Sequence, residues 1–328
     1  MLFPVTQSEE EYRKLEPIMK ASGTTLDARD FYWAVNLAFH SAESEIYERE
    51  HARMIADLPE KWGLLLAPLK ARPLASIRWL DVGCGPGVLG GVVAAILGDG
   101  VKHAVFVDPN ANMLRLCEAK AREWRFSTEF VQGCISELES KEEFDLITCN
   151  SVLHHVVELR DFCGTVARLL TAGGLFASCY DPRREVTFDR VLARRRALAR
   201  CGRAWRVAPR AMKKVYRRFV PSSNGEQIIE AEANRELMRA GAISRPLDIR
   251  SIWAVTDFHV PEQLGGFGRG ISEEELRSYL PGLTMREYFS YCFFGHGPIA
   301  APFRYAERLL FKRRDPHGAL FGASWTSS

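Results

Sequence analysis

The sequence has no long apolar run, and this absence restricts where the protein can act. No stretch of its 328 residues approaches the ~18 consecutive apolar residues of a membrane-spanning helix. The amino-terminal residues also lack the basic end and apolar core of a secretory signal. We therefore predict a cytoplasmic protein, with peripheral contact at a membrane as an alternative.

Paired cysteines and a phosphate-binding lysine motif are missing as well. The eight cysteines contain no CxxC pair and mostly lie inside apolar runs, which indicates buried free thiols and no metal site. No glycine-rich loop ends in Gly-Lys-Ser or Gly-Lys-Thr, which excludes a P-loop nucleotide-binding protein.

From Ser76 onward, short β-branched apolar runs alternate with amphipathic stretches. This alternation predicts an α/β fold whose doubly wound, mostly parallel sheet has seven strands, the last two flanking a helix at about 302–312. We expect four parts, and they are a helical amino-terminal cap (1–75), a core (76–182), a helical insertion (183–270) and carboxyl-terminal strands that complete the sheet (271–328).

The stretch "WLDVGCGPG" ends an apolar run in Asp81 and then places glycines at positions 83, 85 and 87. A strand that runs into glycines and then into a helix leaves bare backbone at the strand ends, where a ligand can approach. On their own, these glycines are also compatible with a plain tight turn.

Asp108 ends the next predicted strand, about twenty residues beyond the glycine loop, where a carboxylate can accept both hydroxyls of a ribose. It would also suit the amino-terminal cap of the helix that follows. The two strand ends together predict a cofactor that carries adenosine.

With "FDLITCNSVLHHV" and the helix and strand that follow it, the chain resembles the class I S-adenosylmethionine-dependent methyltransferases over residues 76–181. The resemblance implies a Rossmann-like methyltransferase fold with S-adenosylmethionine as the cofactor. It implies the following cofactor-binding residues: Asp81, Gly83, Cys84, Gly85, Gly87, Asp108, Pro109, Asn110, Met113, Cys134, Ile135, Asn150 and Ser151.

One segment departs from the family pattern. Where relatives commonly read Gly-Asp-Ala after the third strand, this chain reads Gly133-Cys134-Ile135, so the acid that accepts the adenine amino group is missing. We expect the backbone of Cys134 and Ile135, or the Ser136 side chain, to take its place.

Methyl transfer requires that the acceptor is held in line and, if protonated, loses its proton, so no universal catalytic residue is expected. Candidates for a base are His155, His259, Tyr47 and His51. A structural role is the simpler interpretation of His155, and ordinary helix packing is at least an equal interpretation of Tyr47 and His51. The stretch around His259 has no metal-ligand spacing.

Residues 183–218 contain twelve Arg and two Lys against Glu185 and Asp189. The simplest interpretation is a helical lid over the acceptor, and a contact with an anionic membrane is the second. A nucleic-acid surface is the least favoured, because the chain has no recognised RNA-binding module.

We therefore predict an S-adenosylmethionine-dependent methyltransferase that acts on a small-molecule or lipid-linked acceptor. Two alternatives stay open. One is a cyclase or lyase that uses the same cofactor without methyl transfer, and the other is a nucleic-acid-binding, methyltransferase-like protein without turnover.

Overall fold

The computed structural model describes residues 11–70, 76–138, 143–205, 225–295 and 301–327, without the side chains of residues 201–205 and 301. Residues 206–218 of the basic segment therefore lie outside the described residues. Seven strands are present, and they are β1 (Ile77–Val82), β2 (Val101–Asp108), β3 (Ser127–Gln132), β4 (Phe144–Asn150), β5 (Leu170–Pro182), β6 (Leu283–Tyr291) and β7 (Leu320–Ser327).

These strands form one sheet in the order β3-β2-β1-β4-β5-β7-β6. The first five are parallel to one another, and β7 runs antiparallel between β5 and β6. The predicted mostly parallel, seven-stranded sheet is confirmed. The strand order reverses between β1 and β4, and the carboxyl ends of strands at such a switch point form a crevice for ligands.

The longer helices are α1 (Glu16–Ser22), α2 (Ala28–Glu43), α3 (Ala52–Leu65), α4 (Val88–Leu97), α5 (Ala111–Ala121), α6 (Leu159–Leu169), α7 (Arg190–Trp205), α8 (Gly225–Arg239), α9 (Ile249–Thr256), α10 (Glu273–Tyr279) and α11 (Ala301–Lys312). One core cluster joins the sheet to α3, α4, α7 and α11, and a second joins it to α6 and α10. Helices thus cover both faces of the sheet.

A third core cluster unites the amino-terminal cap with the described part of the insertion. Phe31 and Val35 of α2 belong to the same cluster as Ala233 of α8 and Ile252 of α9. Segments that are about two hundred residues apart therefore bury their apolar faces in one helical layer. This layer sets α2 against the crevice at the strand ends.

The seven cysteines that are described are free, and six of them are buried, as the sequence predicts. Among the described residues, no helix combines the length and the apolar character that a bilayer crossing needs.

A buried hydrogen-bond chain ties β1 to β4 beneath the crevice. The indole N–H of Trp79 donates to Thr148 Oγ1 at 2.7 Å, and the Thr148 hydroxyl donates to Asp81 Oδ1 at 2.6 Å. All three side chains are at most 1% exposed. Water cannot replace a partner there, so each group depends on the next.

We expect Thr148→Val to lower the free energy of unfolding by about 2 kcal/mol, because it leaves a buried donor and a buried acceptor unpaired. Chemical denaturation measures this loss. The same change at Thr128, which is partly exposed on the edge strand β3, is the matched control and should cost well under ~1 kcal/mol. Equal losses at both positions would contradict the hydrogen-bond chain.

Candidate functional site

The loop after β1 contains three glycines with positive φ, namely +62° at Gly83, +53° at Gly85 and +74° at Gly87. A Cβ added at Gly83 would lie 2.6 Å from Val152, and one at Gly87 would lie 2.8 Å from Cys117 Sγ, so both glycines permit close packing. A Cβ added at Gly85 would meet nothing within 4 Å. Gly85 therefore faces open space, where a ligand can approach the backbone.

The Asp108 carboxylate, at the end of β2, joins two loops. Its Oδ2 accepts from the Gly85 N–H at 2.8 Å, and its Oδ1 accepts from the Asn110 N–H at 2.8 Å. Burial raises the pKa of this carboxyl, and the two backbone donors act against that rise. The capping role considered for Asp108 is wrong, because Asn110 caps α5 by accepting from the N–H groups of Asn112 and Met113.

Both loops line a cavity of about 790 Å³, a volume typical of small-molecule sites. Ten of the predicted cofactor-binding residues line it, and they are Gly83, Gly85, Asp108, Pro109, Asn110, Met113, Cys134, Ile135, Asn150 and Ser151. The remaining three, Asp81, Cys84 and Gly87, do not line it. Asp81 and Cys84 are buried, and Gly87 packs against Cys117.

Two features of the cavity test whether these residues fit the implied cofactor. Gly85 leaves open space beside the backbone, and the Asp108 carboxylate is an oriented acceptor on the cavity wall. Both features suit a ligand that carries a ribose with two hydroxyls. The residues present therefore fit S-adenosylmethionine.

The end of β3 supplies a carboxylate that the sequence motif lacks. A Cβ added at Gly133 would collide with the Glu137 carboxylate, which shows that this group lies over the loop. Burial, followed by the charge of Glu137, raises the pKa of Cys134 to about 11. Glu137 and Ser136 both line the cavity beside Cys134 and Ile135.

Helix α2 forms the opposite wall of the cavity. Tyr32, Asn36 and His40 lie one turn apart along one helix face and line the cavity, together with Arg29 and Trp33. Asn36 and His40 were not predicted. Polar side chains at every fourth position of an otherwise amphipathic helix are the signal that identifies them.

Glu43 connects two histidines at the end of α2. Its carboxylate lies 3.4 Å from His40 Nδ1 and 2.8 Å from His51 Nε2. Burial acts to raise the pKa of Glu43, but the two imidazoles outweigh it and hold the pKa at about 2. Burial likewise acts to lower the pKa of His40, and Glu43 outweighs it, so the pKa of His40 lies above its usual value. Tyr47 lines the cavity, whereas His51 supports Glu43 from outside it.

His155 also lines the cavity, in T-shaped contact with His40, with the ring centroids 5.0 Å apart and the planes at 88°. Its Nδ1 lies 2.8 Å from the Thr256 carbonyl oxygen. A carbonyl can only accept, so Nδ1 carries the proton and Nε2 keeps a lone pair. Burial and the neighbouring His154 and His40 hold the pKa of His155 well below its usual value.

The other predicted base, His259, does not line the cavity. Its side chain is buried, and its Nε2 donates to the Val156 carbonyl at 2.8 Å. Burial lowers the pKa of His259 below its usual value. This contact makes His259 a support for the chain segment that carries His155.

Among the described residues, His154, His155 and Asp257 bring three metal-ligating groups within 4.8 Å of one another. His154 Nδ1 already bonds to Asp181 Oδ1 at 2.9 Å, and His155 Nδ1 is held by Thr256. Each imidazole is therefore oriented by the protein through its Nδ1 atom.

Comparisons with known proteins identify a methyltransferase domain in this chain. The family described as "Methyltransferase domain" matches residues 80–174. The ubiquinone biosynthesis O-methyltransferase of Agrobacterium fabrum strain C58 is 30% identical over 185 residues, which cover 56% of this chain and 69% of the relative. The enzyme of the same name from Bradyrhizobium sp. strain ORS 278 is 33% identical over 102 residues, covering 31% and 39%.

The chain spans about two fifths of the length of the first curated relatives, between 39% and 43%. Among solved structures, the magnesium protoporphyrin IX methyltransferase of Synechocystis PCC 6803 with bound S-adenosylhomocysteine aligns with a TM-score of 0.46 at 12% identity, over 91% of this chain and 100% of that chain. The match to the Agrobacterium relative extends beyond the methyltransferase domain and covers more than two thirds of that protein. The chain therefore belongs to the class I S-adenosylmethionine-dependent methyltransferases and uses S-adenosylmethionine as its cofactor.

Proposed function

We propose that the enzyme methylates a hydroxyl oxygen, one about as acidic as a phenol, on a small-molecule or lipid-linked acceptor. The observation that carries this proposal is the pair formed by His40 and His155, which line the cavity in T-shaped ring contact and have pKa shifts of opposite sign. The curated relatives named above are O-methyltransferases, which supports oxygen as the acceptor atom.

When bound, the cofactor supplies an already activated methyl group. The chain's own task is then to bind the acceptor and to remove its proton. Neutral His155 accepts the hydroxyl proton at Nε2, while His40, kept protonated by Glu43, stabilises the developing oxyanion. A phenol with a pKa of ~10 is within reach of such a base, whereas an aliphatic alcohol is not.

For the cofactor, we assign the ribose hydroxyls to Asp108 and the adenine amino group to Glu137. Asp108 is an anionic acceptor whose orientation is fixed by two backbone N–H groups. Glu137 is the carboxylate over Gly133, and it replaces the missing acid of the family motif.

Product analysis tests the reaction type directly. The enzyme is incubated with methyl-labelled S-adenosylmethionine and a panel of catechols and phenols, with and without a polyprenyl tail. Equal amounts of S-adenosylhomocysteine and a labelled aryl ether support the proposal. Formation of methylthioadenosine would instead indicate the cyclase or lyase chemistry.

We expect His155→Asn to lower kcat by roughly 10²- to 10⁴-fold, because the general base is lost. His103→Asn, near the opposite end of β2, is the matched control and should leave kcat unchanged.

The pH profile tests the two histidines together. The rate should rise with pH through the depressed pKa of His155, below ~6.5, and fall again above the raised pKa of His40. Glu43→Gln removes the charge that raises the pKa of His40, so the descending limb should move to lower pH. A descending limb that does not move would contradict the role of His40.

We expect Asp108→Asn to weaken S-adenosylmethionine binding roughly 10- to 100-fold, because two hydroxyl bonds lose a charged acceptor. Calorimetry measures the affinity, and a thermal melt checks that the variant is folded. Asp99→Asn, at an exposed position outside the cavity, makes the same chemical change and should bind normally. Normal binding by both variants would refute the ribose assignment.

Substitutions at two glycines distinguish the effect of backbone strain on cofactor binding from the effect of ligand contact. Gly85 and Gly98 both have positive φ and open space where a Cβ would lie, but only Gly85 lines the cavity. Gly85→Ala should weaken cofactor binding about tenfold or more, because the methyl group occupies ligand space. Gly98→Ala carries the positive-φ strain of about 1 kcal/mol and should leave the affinity unchanged. A similar loss in both variants would show that strain alone is responsible.

A further inference from the structure

Exposed apolar side chains are concentrated on two helices. In the part of the chain that the structure describes, seven large apolar side chains are exposed, and five of them lie on α7, on the residues that precede it, or on α11. They are Phe188, Val191, Leu198, Tyr305 and Leu309, and Phe188 and Tyr305 are 68% and 73% exposed. Scattered exposed apolar residues need no explanation, but such a concentration does.

The two helices lie on the same side of the molecule. Arg195 of α7 makes a bidentate ion pair with Asp315, in the turn after α11, with both distances at 2.8 Å. The inward residues Leu192 of α7 and Phe311 of α11 belong to one core cluster. Because the inward faces are already packed, the exposed apolar residues are additional to the core.

Arginine and lysine surround these apolar residues. The exposed basic residues of the two helices are Arg190, Arg194, Arg200, Arg304, Arg308 and Lys312. The nearby acidic side chains already have basic partners: Asp189 contacts His317, Glu307 contacts Arg53, and Asp315 contacts Arg195. We name this two-helix patch the basic apolar face.

The composition of this face selects its partner. Apolar side chains set singly among cationic ones match the boundary of an anionic bilayer, where the apolar groups enter the acyl region and the cations meet lipid phosphates. Residues 206–224 carry six basic and no acidic residues, so their charge does not complement the face.

The basic apolar face is also connected to the wall of the cavity. Arg53 of α3 contacts Glu307 of α11 at 3.6 Å. The adjacent residue, Met54, places its sulfur 3.8 Å from Asn150 Nδ2, on the cavity wall. One turn of α3 thus links the exposed face to the end of β4.

We propose that the basic apolar face docks on an anionic lipid bilayer, with α3 connecting the docked face to the cavity wall at the end of β4. The proposal relies on the proposed function only for the lipid-linked acceptor. The docking itself needs no acceptor, so its failure is distinguishable from a failure of the methyl-transfer assignment.

The test is flotation of the full chain with vesicles of phosphatidylcholine and phosphatidylglycerol, compared with vesicles of phosphatidylcholine alone. We expect binding to the anionic vesicles only, weakening as salt is raised. The charge variant, R190Q/R194Q/R304Q/R308Q, should bind the anionic vesicles at least about a hundredfold more weakly. The apolar variant, F188S/L198S/Y305S, should bind more weakly at every salt concentration.

The matched control changes the same number of exposed arginines on other faces, R122Q/R125Q/R239Q/R250Q, and should bind vesicles as the unmodified chain does. Cofactor affinity should be equal in all variants, which shows that they are folded. Absent vesicle binding, equal binding to both lipid mixtures, or equal losses in the charge and control variants would overturn the proposal. Self-association or RNA binding that the charge variant abolishes, without vesicle binding, would assign the face to another partner.

Discussion

The geometry of the whole site depends on one buried carboxylate held between two loops. Asp108 receives the N–H of Gly85 from one loop and the N–H of Asn110 from the other. The Gly85 N–H can point there because that residue adopts a positive φ. Asn110 in turn donates through its side chain to the carbonyl of Leu37 on α2. The same small cluster therefore fixes the cofactor loop and positions the helix that carries His40.

That connection explains how α2, a helix of the amino-terminal cap, comes to line the cavity. Once α2 is fixed, Glu43 lies between His40 and His51 and keeps its negative charge despite burial. The His40 and His155 rings are in T-shaped contact at 5.0 Å. The pKa values of these two imidazoles are shifted in opposite directions, because His40 has a carboxylate partner, whereas His155 has a carbonyl partner and is buried beside two other histidines.

The cofactor half of the site was predictable because its residues lie within a few positions of the strand ends. Gly85 and Asp108 follow from apolar runs and turn chemistry, and Asn150 follows from the family resemblance, without any knowledge of tertiary contacts. The choice between Asp108 and Asn110 as the helix cap was not predictable, because both residue types cap well and they are two positions apart. Glu137, which lines the cavity beside Gly133, was not predicted because it lies outside the expected motif.

The acceptor half was not predictable for a physical reason. The tautomer of His155 is set by Thr256, 101 positions away, and α2 is positioned by apolar contacts with α8 and α9 of the insertion. Contacts between segments so far apart in the chain produce no periodic pattern in the sequence.

The distribution of charge, by contrast, can be read from the sequence, and its electrostatic field extends over long distances. The chain has a formal charge of +3 and residues 183–218 carry +12, so the remainder carries −9. Of the arginines on α7, Arg195 is held by Asp315 and its guanidinium lies 5.7 Å above the Phe293 ring, so the fold uses it. Arg190, Arg194 and Arg200 project outward. A molecule polarised in this way would orient in the field of an anionic surface before any contact forms, and its basic side is the one that α3 connects to the cavity wall at Asn150.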